Sequence, residues 1–549
     1  MSFRTFGGAS RLAALMIAGG ALSFPAALPA AAQDAATRRA EARSINDVPA
    51  IVTPGQTAVT TEHTATIRGQ EVPYRATAGT QPVYDREGKP IASLFYVYYE
   101  RTDVEDKASR PLTISFNGGP GSASVWMHIG YTGPYRLNVD DEGFPVQPYG
   151  YEANPHSILD VTDIVYVNPV NTAFSRAKEG VDTGQFFGVN DDLRYLAEWI
   201  RRFVKDNGRW GSPKFLIGES YGTTRVSGLA GALQDEHWMY LNGVILVSPT
   251  GLGIARDGPV GDALILPHYA ATAWYFGQLP EDLQERDLEQ ILPEVETFAL
   301  EEYMPALTHG GFIDEQRRQE IAEKVARYAG VSTEFVLNNN LSIPINRWRK
   351  ELLRDQRLTV GRLDSRYQGI DRDAAGERYD YDPAMSAWNH AFAPAINMYL
   401  AEVLKYETDL AYNVFGPTPG WEREGDRTGE QLRSAMAQNP YLKVMIQSGY
   451  YDGGTDYFSA KYSMWHIDPS GQLKDRFRFH TYRSGHMMYL RDEDLGPSNQ
   501  HIRDFIEWSL PEAGSPAHYG QRTPVAAGER QEGEARPAGA VGGQGRVQE

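Results

Sequence analysis

Short apolar runs recur along the chain: SLFYVYYE (93–100), PLTISF (111–116), DIVYVN (163–168), KFLIG (214–218), GVILVS (243–248), KVMIQS (443–448) and FRFHTY (477–482). Several are continuously apolar, the pattern of strands covered on both faces. Helical patterns lie between them. The stretch NDDLRYLAEWIRRFVKDN (190–207) is amphipathic and opens on Asn190, a residue type that caps helices. Strands alternating with helices predict an α/β fold with a mostly parallel central sheet. From about Pro259 to about Asn413 the rhythm stops. PEDLQERDLEQILPEVETFALEEYM and EQRRQEIAEKVARYAG read as helices there, and no clear strand is visible. A long insertion between strands of an α/β enzyme predicts a cap over the site.

The two ends read differently. Arg4 and Arg11 precede a short apolar stretch, Leu12 to Phe24, and the small residues Ala30, Ala31 and Ala32. This is the pattern of a secretory signal peptide, with cleavage after Ala32, and it is too short and too rich in Gly and Ala to span a bilayer. Residues 33–60 are polar and rich in Ala and Thr and read as a flexible arm. Residues 511–549 carry Gly, Pro, Ala and charge with almost no large apolar side chains, so they read as a disordered tail. The core is expected in two parts, 61–258 and 414–510, around a helical cap insertion at 259–413.

Charge and cysteine content narrow the function. The formal net charge of −18 becomes −20 once Arg4 and Arg11 leave with the signal peptide. Such a balance argues against nucleic acid as a partner, because phosphate binding needs clustered Lys and Arg. The chain has no cysteine, which excludes a thiol nucleophile, a Cys-ligated zinc site, disulfides and a lipoprotein anchor. No other stretch is long and apolar enough to span a membrane. The expected location is periplasmic or secreted.

The candidate chemistry lies in KFLIGESYG (214–222). Ser220 follows an apparent strand and precedes YGTTRVSGLAGALQ, which reads as a helix. G-x-S-x-G in a strand–turn–helix setting is the signature of a nucleophile elbow, with Gly218 and Gly222 leaving room for the turn. A nucleophilic serine needs a base, and the base needs an orienting acid. His486 follows Gly485 in a loop after a strand and is the preferred base, whereas His480 lies within that strand and reads as structural. Asp452 comes just after another buried strand, among Gly449, Gly453 and Gly454, and is the preferred acid. Asp456 is its rival and equally suits a helix cap near Tyr457. Upstream, ISFNGGPGSASVW (114–126) puts a Gly-rich loop after a strand. A backbone N–H from it, with that of Tyr221, would make an oxyanion hole. The loop lacks the G-K-[ST] of a phosphate-binding P-loop.

NGGPGSAS, GESYGTTR, GYYD and SGHMMYL, in this order, resemble the serine carboxypeptidase family (peptidase family S10) in its bacterial secreted form, over about residues 90–510. NPHSILDVTDIVYVNPVNTAFS (154–175) is similar to a further segment of that family. The resemblance implies an α/β-hydrolase fold with a helical insertion, and removal of the C-terminal residue of peptides. It implies Ser220 as nucleophile, His486 as base, Asp452 as acid, and Gly119 with Tyr221 as oxyanion hole. Asn117, Gly118 and Glu219 would bind the substrate, whose free C-terminal carboxylate would share a proton with Glu219. Like charges at that distance cannot both ionise, which accounts for the family's leaning toward acidic pH. No cofactor and no metal is implied. DRDAAGERYDYD (371–382) matches a calcium loop only in part and reads as an acidic surface loop.

Three departures alter the expectation. Tyr131 stands where the family has a second carboxylate-binding glutamate, which weakens or remakes carboxylate recognition. Asn171 and Ala173 replace two glycines, suggesting a narrower pocket. Ser122 replaces a cysteine. An esterase or acyltransferase on the same scaffold is therefore an alternative. A non-catalytic binding protein that kept the fold is a third reading, against which the intact Ser220, Asp452 and His486 set argues.

Overall fold

The computed structural model describes residues 57–421, 425–512 and 514. The expected signal peptide, most of the arm and nearly all of the tail lie outside them. All seven apolar runs are strands. With two strands before them they form the main path of one sheet: β1 Thr57–Ile67, β2 Gln70–Tyr84, β3 Pro90–Arg101, β4 Leu112–Phe116, β5 Asp163–Val167, β6 Lys214–Glu219, β7 Gly243–Val247, β8 Lys443–Gly449 and β9 Phe477–Tyr482. Their spatial order is β1-β2-β3-β5-β4-β6-β7-β8-β9, and the two-residue strand Arg176–Ala177 adds to β3. β1, β2, β3 and β5 pair antiparallel, and every pairing from β5 onward is parallel. Strand exchange of this kind, with helices on both faces, is the α/β-hydrolase arrangement expected from the sequence.

Burial on both faces explains the continuous apolar runs. In β6, Phe215 and Ile217 enter one core with Ile245 and Met445, while Leu216 enters the opposite core with Val244 and Val444. Helices α1 Val189–Asp206 and α2 Tyr221–His237 cover the Leu216 side. Each such side chain, fully withdrawn from water, contributes about 1.5–3 kcal/mol. β1 and β2 were not legible as strands, and residues 57–60, expected to be arm, are the start of β1. β1 is an edge strand with mostly exposed Thr and Ala, so it carries no apolar run. Asn190 does not cap α1. Gly188 holds that position, and its carbonyl accepts from Asp192 N at 2.9 Å.

Residues 259–402 are mostly helical. Their longer helices are α3 Leu266–Tyr275, α4 Leu288–Phe298, α5 Glu315–Ala329, α6 Ile345–Glu351 and α7 Pro383–Glu402, with a hairpin of two-residue strands at Thr359–Val360 and Gln368–Gly369. Most of them share a core of their own, which also takes in Tyr450 and Tyr451 beside the Asp452 loop. α7 instead packs into the main core through Trp388, Phe392 and Tyr399. After β8 and β9 come α8 Tyr457–Ile467 and α9 Asp492–Ser509. Among the described residues no helix is long and apolar enough to cross a membrane.

Candidate active site

Sheet register brings the chemistry to one edge. Phe116 of β4 pairs with Gly218 of β6, and Val247 of β7 pairs with both Glu219 of β6 and Gln447 of β8. The residues just past these pairs therefore emerge together at the carboxyl ends of the central strands, where open α/β sheets place ligands.

Ser220 occupies the turn between β6 and α2. Its backbone is at φ 59°, ψ −127°, held by the bond from its N–H to Val247 O at 3.0 Å. A non-glycine residue in this conformation stores strain that the surroundings must fix. Two glycines make the turn possible by close approach. A Cβ on Gly218 would lie 2.2 Å from Gly222 O, and one on Gly118 would lie 2.4 Å from Tyr221 N. Gly118 thus lets the NGGPG loop press against the elbow, while Gly119 beside it is exposed and Tyr221 begins α2. The loop is anchored from below. Arg225 Nη1 donates to Asn117 O at 2.5 Å, and Arg225 Nε to the buried Asp192 carboxylate at 2.7 Å.

His486 and Asp452 meet on the same edge. His486 Nδ1 lies 2.7 Å from Asp452 Oδ2, both side chains being buried. Asp452 Oδ1 accepts from the backbone N–H groups of Gly454 and Thr455 at 2.8 and 3.0 Å, and Oδ2 also accepts from Thr455 Oγ1 at 2.7 Å. Burial alone would raise the Asp452 carboxyl. The facing His486 and these donors outweigh it and hold the acid below the usual carboxylate range. Burial works equally against charge on His486, but Asp452 prevails and lifts the imidazole above its ordinary value. The rival acid, Asp456, caps α8 instead, accepting from Ser459 N at 2.8 Å, and burial pushes it up to about 6. His480, within β9, stacks on His501 with ring centres 3.7 Å apart.

Several bracing residues carry no sequence motif. Ser248, one residue past β7, donates its hydroxyl to His486 O at 2.7 Å, and His486 N donates to Leu363 O at 2.7 Å. Arg349 of α6 donates to Gly453 O at 2.7 Å. The segment from Arg349 to Leu363 thereby holds both the Asp452 loop and the His486 loop.

Glu219, beside Ser220, is buried. Burial raises its carboxyl to about 7, against the lowering influence of His486, Tyr489 and Asn117. Tyr489 donates its hydroxyl to Glu219 Oε2. Asn117 lies near enough to favour the carboxylate, but its Oδ1 is engaged by Met127 N at 3.0 Å and its Nδ2 makes no bond of full geometry. Tyr131 does not reach the carboxyl. It stacks on Tyr489, with ring centres 4.4 Å apart, and donates to Gln447 Oε1 at 2.9 Å.

The other departures serve a strap over the NGGPG loop. Asn171 and Ala173 keep positive φ, 72° and 44°, the conformation glycine favours, at roughly 1–2 kcal/mol for the alanine. Asn171 Nδ2 donates to Pro417 O at 3.0 Å, and Ala173 N to Asn413 O at 2.8 Å. Residues 413–416 lie in turn on Gly121, Ser122 and Ala123, and Trp421 packs edge-on against Tyr221. In the 371–382 loop, Asp371 pairs with the buried Lys350 ammonium and Asp382 caps α7, so both act as structural ties. Among the described residues no group of three or more His, Asp or Glu side chains is arranged to hold a metal ion.

Known proteins share this framework. The family model for serine carboxypeptidases matches residues 70–250, which contain the NGGPG loop and the Ser220 elbow. Over these residues the chain is similar to the serine carboxypeptidase family. Serine carboxypeptidase-like 36 of Arabidopsis thaliana is 26% identical over 172 residues, 30% of this chain and 34% of the relative. Serine carboxypeptidase-like 42 of the same plant is 30% identical over 183 residues, 32% of this chain and 36% of the relative. The matches thus span about a third of these curated relatives. The crystal structure of Kex1(delta)p, a prohormone-processing carboxypeptidase from Saccharomyces cerevisiae, superposes with a TM-score of 0.50 at 13% identity, covering 79% of this chain and 91% of that one. At that identity the likeness concerns the fold. His486 and Asp452 lie beyond the matched residues, and their pairing rests on the geometry above.

Proposed function

We propose that this protein is a serine carboxypeptidase that hydrolyses the last peptide bond of peptides with a free C-terminal carboxylate. Ser220 Oγ attacks the carbonyl carbon of that bond while His486 takes its proton. Backbone N–H groups of Gly119 and Tyr221 receive the developing oxyanion. The tetrahedral intermediate collapses, His486 gives the proton to the leaving amine, and the peptide remains as an ester on Ser220. A water deprotonated by His486 then releases it. Asp452 keeps the imidazole in the required tautomer and stabilises it when protonated. The arginine-led apolar start of the chain supports an exported enzyme.

The observation that carries the peptidase reading is Glu219: a buried carboxyl next to the nucleophile with its pKa raised to about 7. Below that pH it holds a proton and can donate to a substrate carboxylate. Above it, two like charges face each other in a poorly solvated site. The kcat/KM for free-acid peptides is therefore expected to fall as pH rises through about 7. On the acid side it rises as His486, itself above its ordinary value, loses its proton. Glu219→Gln, which stays neutral, should lose most of the alkaline fall on a blocked dipeptide. A variant that keeps the wild-type profile would remove Glu219 as the carboxylate's partner. The esterase reading would then gain, which Tyr131 already favours by turning to Gln447 instead of supplying a second carboxyl.

A further inference from the structure

Glu219 receives a hydroxyl from outside the triad. Tyr489 follows His486 by three residues, is fully buried, and donates to Glu219 Oε2. Its ring is clamped. Tyr131 stacks on one face at an interplanar angle of 9°. The missing side chain of Gly130 leaves room for it beside Phe392 of α7, since a Cβ there would lie 3.1 Å from both rings. Tyr131 is in turn fixed through Gln447, whose Nε2 donates to Tyr482 Oη at 2.9 Å and Ser498 O at 3.0 Å.

We propose that Tyr489 is a positioning residue for recognition of the substrate carboxylate: its hydroxyl holds Glu219 by Oε2, leaves Oε1 for the substrate, and sets the pH at which free-acid peptides cease to be accepted. This rests on the reading of Glu219 as the carboxylate's partner. The groups facing Glu219 are His486 and Tyr489 from the loop after β9, Asp452 from the loop after β8 and Asn117 from the loop after β4. Those facing Tyr489 are Glu219 and Tyr131. An O–H donor stabilises the ionised carboxyl and so opposes the effect of burial. Burial, with Glu219 beside it, holds the Tyr489 hydroxyl well above its ordinary value, so it remains a donor across the working pH range. Losing it should let Glu219 keep its proton to higher pH.

The test measures kcat/KM against pH for a blocked dipeptide acid and for a blocked amino-acid ester that lacks a carboxylate. Tyr489→Phe keeps the ring stack and is expected to move the alkaline limb of the peptide profile upward by about one pH unit, the scale of one lost hydrogen bond to a charged group. At low pH it should raise KM more than it lowers kcat, and the ester profile should stay in place. Tyr131→Phe, which keeps the ring stacked on Tyr489 and the Tyr489 hydroxyl on Glu219, should move the limb far less than Tyr489→Phe does. Placing 3-fluorotyrosine at position 489 strengthens the donor without emptying space and should move the limb downward, an arm that remains decisive if the Phe variant folds poorly. An unmoved limb in both position-489 variants, or an equal shift with the ester, overturns the proposal. If Glu219→Gln has abolished the alkaline fall, only the role of Tyr489 is lost; if it has not, the reading of Glu219 itself has failed.

Discussion

Ser220→Ala should abolish turnover and leave the fold as it is. The substitution removes one oxygen from a half-buried side chain, while the backbone bond from residue 220 to Val247 O and the φ of 59° remain. Removing the nucleophile of such a set typically lowers kcat by about 10⁶. A serine-directed phosphonylating reagent should label Ser220 and no other residue, and the alanine variant should take up none. Labelling elsewhere, or substantial activity in the variant with an unchanged melting temperature, would show that the elbow serves only as a turn.

Asp452→Asn should lower kcat by about 10⁴, the scale seen when a triad acid becomes an amide and the imidazole adopts the wrong tautomer. Asp452 Oδ2 faces both His486 Nδ1 and Thr455 Oγ1, so an amide placed there presents a donor where an acceptor is required. Asp456→Asn should change kcat little. Its carboxyl caps α8, asparagine caps helices as well as aspartate does, and burial already pushes Asp456 up to about 6. Steady-state kinetics of the two variants decide between the acids, and the opposite ranking would mean that the loop after β8 presents Asp456 instead.

What could be read from the sequence follows from what repeats locally. Strands buried on both faces carry apolar runs, so β3 to β9 are legible, whereas the Thr-rich edge strand β1 alternates between half-exposed and exposed positions, and its first residues, 57–60, read as arm. Ser220, His486 and Asp452 announced themselves because each follows a strand among glycines that the close packing requires. Arg349, Leu363 and Ser248 did not. They act through backbone groups more than 80 residues away in the chain, and nothing in their own surroundings marks a contact of that kind. Tyr489 lies within SGHMMYL yet carries no signal of its own, since its contacts depend on a ring from Tyr131 and a carboxyl from Glu219. Asn171 and Ala173 stand out only against the family pattern; both adopt positive φ, the conformation glycine favours, and the Asn171 side chain ties down the strap.

Central to the proposed function is removal of a C-terminal residue by the Ser220 site under control of a free carboxylate. Its most direct test compares one blocked dipeptide as the free acid and as the C-terminal amide, with wild type and Ser220→Ala, following release of the C-terminal residue at mildly acidic pH. Wild type should release it from the acid far faster than from the amide, and Ser220→Ala from neither. Equal rates on acid and amide, or release by the alanine variant, would contradict it.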